Sequence, residues 1–517
     1  MATEAPIPSL LSTTRGRLTL ALLCSIAFLD FVDASIVNIA LPSMRRALHF
    51  SVQDLLWVPS GYLLTYGGFM LLGGRAADIL GRRRVLVSGI VLIGISSMIG
   101  GVAQSSAVMV GARLAQGFGA ALTLPSALSI LTTTFRDGKD RNTALGVWGG
   151  VGGLASAAGV LLGGLLTEGP GWRWVMFVNP IACVLVLGGV FRLINGDRRR
   201  QHSGSFDLLG ATLVTGGMLL LVYALVKAPS VGWGTTRTIA ELGGALTMLL
   251  AFIVNERRVK NPLAPLSIFR INGLGFSNLT QLIAFAGFLA LFFFLTLYMQ
   301  NVLHYSAIQT GAAYLPLAFT IGISAGISSQ LIARVGTRPL IVSGALIAAG
   351  GLYWLSRIPV DGSYLSNLLP AMLVLSVGFG PVFVGVSTAA NAGVPADKAG
   401  LAAALLNASQ QLGGALGLAI FTAVATSRTQ HLLTTHIPPP EALTGGFRDA
   451  LLVGSIFILA SAVIALWATN THGEAAPERS APDPDDYGAR EALTSATGPE
   501  TVETLVSGRG DVLRPRR

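Results

Sequence analysis

Gly74-Arg75-Ala76-Ala77-Asp78-Ile79-Leu80-Gly81-Arg82-Arg83-Arg84 follows the second long apolar run of the chain, and Ser329-Gln330-Leu331-Ile332-Ala333-Arg334-Val335-Gly336-Thr337-Arg338-Pro339 follows the tenth. Each stretch lies between the second and third run of a set of six. Gly81 aligns with Gly336 and Arg83 with Arg338, so a turn that needs glycine beside basic residues occurs twice. The chain therefore reads as a duplication: six runs, an insert of two, and six more.

The runs themselves identify the solvent. Of 517 residues, 52% are hydrophobic and 12% charged, and the mean hydropathy is +0.65. Water-soluble domains carry roughly 25% charged residues, so much of this apolar surface has to face lipid. The 63 glycines fit that setting, because helices in a bilayer pack through small residues. Runs of about twenty apolar residues, enough to cross roughly 30 Å of hydrocarbon, centre near Phe28, Leu64, Ile93, Leu122, Leu154 and Val184, then Met218 and Thr247, then Phe288, Thr320, Leu346, Val374, Leu412 and Ile458. The expected fold class is an all-α polytopic membrane protein with fourteen transmembrane helices. Its parts are an N-terminal six-helix bundle (1–200), an inserted helix pair with linkers (201–262), a C-terminal six-helix bundle (263–470) and a tail (471–517). The tail is rich in Pro, Ser, Asp, Glu and Arg and is expected to be disordered and cytoplasmic.

Charge sets the orientation. The formal charge of +10 belongs to loops, not to a nucleic-acid surface. Arg82 to Arg84, Arg136, Lys139 and Arg141, Arg198 to Arg200, Arg257, Arg258 and Lys260, and Arg334 and Arg338 all fall on one side. About twenty basic residues lie there against about eight opposite, and basic loops stay in the cytoplasm. Both termini are expected to be cytoplasmic in a bacterial inner membrane. Cys24 and Cys183 sit in apolar runs, and the six histidines show no metal-ligand spacing. With no nucleophile-and-base pair or nucleotide motif either, neither an enzyme nor a cofactor is expected.

Asp30 and Asp33 stand three residues apart on one face of the first helix. An unpaired charge at mid-bilayer costs roughly 2.5 to 3.5 kcal/mol even on lenient scales, so each needs a reason, and proton loading is the natural one. Helix four, starting near Ala107, brings Arg113-Leu114-Ala115-Gln116-Gly117-Phe118-Gly119-Ala120-Ala121. Arg113 lies about 9 Å inside it at 1.5 Å per residue. A guanidinium near an aspartate alters its proton affinity, and separating the two alters it again. Helix five carries Gly149, Gly150, Gly152, Gly153, Gly159, Gly163 and Gly164. Polar candidates for a central cavity are Asn38, Gln116, Asn278, Gln281, Asn407, Gln410 and Gln411, with Tyr62, Tyr66, Phe288 and Phe292 as aromatic walls.

These motifs together resemble the major facilitator superfamily, and within it the fourteen-helix drug:proton antiporter subfamily called EmrB/QacA-like, over about residues 15 to 470. Gly74 to Arg84 is similar to the superfamily's loop motif, with Ala76 where leucine and Ile79 where arginine is usual. Asp33-Ala34-Ser35-Ile36-Val37-Asn38-Ile39-Ala40-Leu41-Pro42 looks like the first-helix signature, and Arg113 to Ala121 resembles the Arg-x-x-Gln-Gly-x-Gly-Ala motif. Helix five is similar to the antiporter motif, with Ala155 for its first glycine and Val160 for its proline. Trp172-Arg173-Trp174, Asn179-Pro180, Asn261-Pro262-Leu263 and Ser267 to Arg270 also match. The resemblance implies two bundles working by alternating access. Asp33 and Arg113 would couple protons; Asp30, which has no counterpart in the motif, joins them as a candidate from its place on the same helix face. Gly74, Asp78, Gly81, Arg82, Arg83, Arg334, Gly336 and Arg338 would latch the halves, and Gly153, Gly159, Gly163 and Gly164 would form an antiporter-type helix. The expected activity is export of small lipophilic or cationic organic molecules in exchange for protons; a uniporter or proton symporter is the alternative. The partners expected are substrate, protons and lipid, for a chain acting as a monomer with or without accessory export proteins.

Overall fold

Apolar runs with no neighbouring strand must satisfy their backbone groups within themselves, which in lipid leaves the helix. The computed structural model describes residues 10–135, 139–194, 196, 207–260, 262–264, 266–271, 273–395 and 398–472. Fourteen long helices occur among them: α1 (Thr14–Leu48), α2 (Trp57–Leu80), α3 (Arg82–Gly101), α4 (Ser106–Thr134), α5 (Lys139–Leu166), α6 (Arg173–Leu193), α7 (Leu208–Val231), α8 (Thr236–Arg258), α9 (Leu274–Asn301), α10 (Leu315–Val335), α11 (Thr337–Leu355), α12 (Leu369–Asn391), α13 (Ala399–Thr434) and α14 (Pro439–Ala465). Every centre expected from the sequence falls inside its helix. Thirteen of the helices are long and apolar enough to cross a membrane, and the 28-residue α5 takes the remaining place in the order. Arg136, Arg198 to Arg200, Asn261 and all of the tail after His472 lie outside the described residues.

The duplication is visible in packing. In the first half α2 and α3 pack on α4, α5 and α6 pack on α1, and α6 packs on α3. In the second half α10 and α11 pack on α12, α13 and α14 pack on α9, and α14 packs on α11. The turns aligned in the sequence are the same structure: Gly81 joins α2 to α3 at φ 100° and Gly336 joins α10 to α11 at φ 83°, a region that disfavours any residue with a Cβ.

The halves meet along two equivalent seams, α2 against α13 and α5 against α10 with the short helix Ala307–Ala313 before it. At the second seam the approach is backbone to backbone. A Cβ on Gly164 would stand 2.8 Å from the Ala307 carbonyl oxygen, and one on Gly311 would stand 2.5 Å from that of Val160. At the first seam α7 lies against both α2 and α13, while α8 packs on α7. Asp207 fastens this inserted pair at the end where α1 begins, accepting from Gly210 N and Asn255 Nδ2. Lys227 to Asp54, 2.7 Å, fastens it at the opposite, far end. Val184, Leu185, Phe319 and Ile323 are among the large apolar side chains left exposed, as a lipid-facing perimeter requires.

Candidate functional site

α1, α2, α4 and α6 converge on Asp33 and Arg113. Small residues make the convergence possible: Gly117 on α4 lies so close to α2 that a Cβ there would reach the Tyr62 carbonyl oxygen at 2.2 Å. Arg113 is 1% exposed and Asp33 4%. Arg113 Nη1 donates to Asp33 Oδ2 at 2.8 Å and to Gln116 Oε1 at 2.7 Å, while Arg113 Nε donates to the Val58 carbonyl at 3.0 Å. Gln116 Nε2 donates to Asp33 Oδ1 at 2.9 Å and to Ser97 Oγ at 2.7 Å. Asn179 Nδ2 also donates to Asp33 Oδ1, and the guanidinium lies over the Tyr62 ring, 4.3 Å from its centre. Arg113 thus does not reach for the surface; it is the counter-ion of Asp33. A buried ion pair survives when further hydrogen bonds satisfy its donors and acceptors, and here both Asp33 oxygens and Arg113 Nε and Nη1 have partners.

Asp30, one turn earlier on α1, is half-buried and turns to α2: Tyr62 donates to Oδ1 at 3.1 Å and Tyr66 to Oδ2 at 2.8 Å. The two carboxylates share a cavity of about 30 Å³ whose wall includes Gln116, Thr123 and Asn179. It has the volume for roughly two waters at 10–15 Å³ each.

The other candidate residues distribute more widely. Asn38 and Asn407 donate to carbonyls on their own helices. Asn278 and Gln281 on α9 join α13, accepting from Ser409 at 3.0 Å and donating to Gln410 at 2.9 Å respectively. Phe288 meets Phe292 and Phe383 edge to face and Phe379 at a tilt. Gln116 belongs to the ion-pair cluster, and the hydroxyls of Tyr62 and Tyr66 face Asp30. On α5, Gly159 and Gly163 lie against α1 and Gly164 against the opposite half; Gly153 lies in the same helix.

At the end where α1 begins, Gly74 packs near Pro125. Asp78 pairs with Arg82 at 3.9 Å, and Arg83 reaches the Phe191 carbonyl and ring in its own half. Arg338 donates to the Ala468 carbonyl and to Asn470, and Arg334 lies in the last turn of α10. Hydrogen bonds across the halves occur at the far end. Gln300 Nε2 donates to the Ile39 carbonyl at 3.1 Å, and Ile308 N donates to Glu168 at 3.1 Å. Ser306 and the Ile308 amide hold the Glu168 carboxyl below its usual value.

Sequence reasoning missed Asn179 as a site residue, taking Asn179-Pro180 as an identifying pair. The available signal was a lone amide inside an apolar run, which needs a buried partner.

Residues 23–418 match the Major Facilitator Superfamily. The chain belongs to that superfamily. It is 39% identical over 467 residues to the puromycin resistance protein pur8 of Streptomyces alboniger, covering 89% of this chain and 92% of the relative. The cephamycin export protein CmcT of Amycolatopsis lactamdurans is 38% identical, at 87% and 92% coverage. Among solved structures, the peptide transporter POT superposes with a TM-score of 0.62 at 17% identity, covering 87% of this chain and 95% of that one. The human organic anion transporter MFSD10 gives 0.57 at 16% identity, covering 88% and 100%. These two show the shared fold. As a major facilitator, the chain is a multi-pass membrane transporter of small molecules and not an enzyme.

Proposed function

We propose that this major facilitator exports small lipophilic or cationic organic molecules from the bacterial cytoplasm in exchange for protons. The observation that carries the reading is the buried Asp33–Arg113 pair, braced by Gln116 and Asn179 beside a cavity that also holds Asp30. Relatives named for puromycin resistance and cephamycin export support the direction and small organic antibiotics as the cargo. One proton moving down about 150 mV supplies roughly 3.5 kcal/mol, enough for a few-hundredfold gradient. Asp33 takes and releases the proton as its distance from Arg113 changes. Both termini are cytoplasmic and the far end faces outward, a reading in which the bonds from Gln300 and Ile308 across the halves close the outer side. In the alternate state Asp78, Arg82, Arg83, Arg334 and Arg338, about the turns at Gly81 and Gly336, latch the cytoplasmic side.

The test is proton release from energised inverted vesicles, read by an internal pH dye on addition of puromycin, ethidium or tetraphenylphosphonium. Release by the native protein that vanishes in Asp33→Asn, with folding intact, is the expected outcome. Undiminished exchange by that variant would remove the proton role of Asp33. Val160 in place of a helix-kinking proline favours uniport or symport as the second reading, for which the same vesicles would show no release, or proton entry alongside substrate.

A further inference from the structure

At the far end a groove of about 390 Å³ lies between the α7–α8 loop and the neighbouring helices α13 and α14. Trp233 of the loop forms one wall, and Ser427, Arg428 and His431 of α13 and Asp449 of α14 form the others. Arg428 and His431, three residues apart, share a helix face. Arg428 Nε stands 3.3 Å from Asp449 Oδ2, with both side chains close to half exposed, and an ion pair so open to its surroundings is weakly held.

The height of the groove follows from helix lengths. α7 has 24 residues and α8 has 23, about 35 Å each at 1.5 Å per residue. The loop joining them therefore comes to the surface of a hydrocarbon layer roughly 30 Å thick. α13 has 36 residues, roughly 54 Å, and carries its last turns past that level. Arg428 and Asp449, lining the same groove as Trp233, thus sit at the depth of lipid headgroups, where tryptophan is enriched. Below them α14 turns an apolar stripe outward. Leu452, Ile456, Leu459 and Val463 are all exposed, and their spacing of three and four residues puts them in line with Asp449 on one face.

We propose that this groove holds the headgroup of a phospholipid carrying both a phosphodiester and a primary ammonium, with an acyl chain along the α14 stripe. The phosphodiester takes Arg428, whose guanidinium fork matches two phosphate oxygens, and Ser427 and His431 are further donors beside it. The ammonium takes Asp449, freed as Arg428 turns to the phosphate. One weak ion pair within the protein is thereby exchanged for two with the lipid. A headgroup with a phosphate alone would leave the Asp449 carboxylate beside an anion. A quaternary ammonium has no N–H to give Asp449 and calls for a cage of rings, where this groove has the single indole of Trp233 in its wall. The bound lipid joins the inserted pair to the second half, as Lys227 and Asp54 join it to the first half at the same end. The inference stands apart from the proton-exchange reading and holds whichever side of the membrane the far end faces.

The test takes the full chain from nanodiscs of equal parts phosphatidylethanolamine, phosphatidylcholine and phosphatidylglycerol into mild detergent and counts the retained lipid by native mass spectrometry. Phosphatidylethanolamine should be retained with a preference of about tenfold over each of the others, the worth of one hydrogen bond to a charged group. Arg428→Ala and Asp449→Ala should each reduce that preference below about twofold without changing the unfolding temperature. Arg357→Ala, at another exposed arginine of the far end, should leave it intact. Quenching of tryptophan fluorescence by phosphatidylethanolamine with brominated chains should exceed that by the brominated phosphatidylcholine, and the excess should vanish in Trp233→Phe. Equal retention of the three lipids overturns the assignment, as does a preference that survives both Arg428→Ala and Asp449→Ala or is lost equally in Arg357→Ala. Displacement of the lipid by ethidium alone would overturn it in favour of a site for organic cations, and displacement by glycerophosphoethanolamine at equal concentration in favour of a soluble phosphate ester.

Discussion

Arg113 is held by three acceptors at different angles, the Asp33 carboxylate, the Gln116 amide oxygen and the Val58 carbonyl. Lysine offers a compact point charge without the planar fork, so Arg113→Lys should keep the charge yet lower proton exchange more than tenfold, with a folded protein, in the vesicle assay. Asn179→Leu removes one hydrogen bond to a buried carboxylate. The expected loss is about 1.5–3 kcal/mol, read as a lower unfolding temperature in detergent, and an unchanged transition would contradict the bracing role. At this scale the sequence was informative wherever a charge or motif marked the residue. Asp33 and Arg113 stood out because charge inside an apolar run is costly, and Gln116 because it belongs to the motif that begins at Arg113. Asn179 did not, being a single neutral amide, and Tyr62 and Tyr66 were read as aromatic walls because composition does not say where a hydroxyl points.

Among the elements, the seam between α5 and the helix Ala307–Ala313 is where a small change has the largest effect. A Cβ on Gly311 would stand 2.5 Å from the Val160 backbone oxygen, and backbone cannot turn aside as a side chain can. Gly311→Val should therefore open the far end, seen as faster labelling of a cysteine placed at Tyr62 by a reagent added from outside. Glu168 adds a pH-dependent contribution to the same closure. Ser306 and the Ile308 amide lower its carboxyl below the usual 4.5, so their contribution is complete above that value and lost as pH falls through the lowered one. Closure measured by the same labelling should be constant from pH 8 to pH 5 and weaken only in stronger acid. Helix positions were legible in the sequence, since length and hydropathy alone place all fourteen centres. The interruption at Tyr314, between the short helix and α10, was not read from hydropathy, because one apolar run covers both pieces; its mark is Pro316 in the first turn of α10, which has no N–H to continue the preceding helix.

For the whole molecule, the orientation has a direct check. Trp233, half exposed in the far-end loop between α7 and α8, and Leu80, exposed at the other end, should behave oppositely as cysteines. Trp233→Cys should react with a membrane-impermeant maleimide on intact cells, and Leu80→Cys only after lysis; the reverse pattern would invert the topology. The duplication was readable because glycine at positive φ is hard to replace, so Gly81 and Gly336 kept the mark of a common turn. How the inserted pair sits could not be read, because nothing in α7 or α8 names the groove they occupy. Their position breaks a symmetry that the two halves otherwise keep. α7 covers the seam between α2 and α13, and no helix among the described residues does the same where α5 meets α10. The protein thus has one shuttered flank and one flank on which the join between its halves lies bare along the backbone contacts of Gly164 and Gly311.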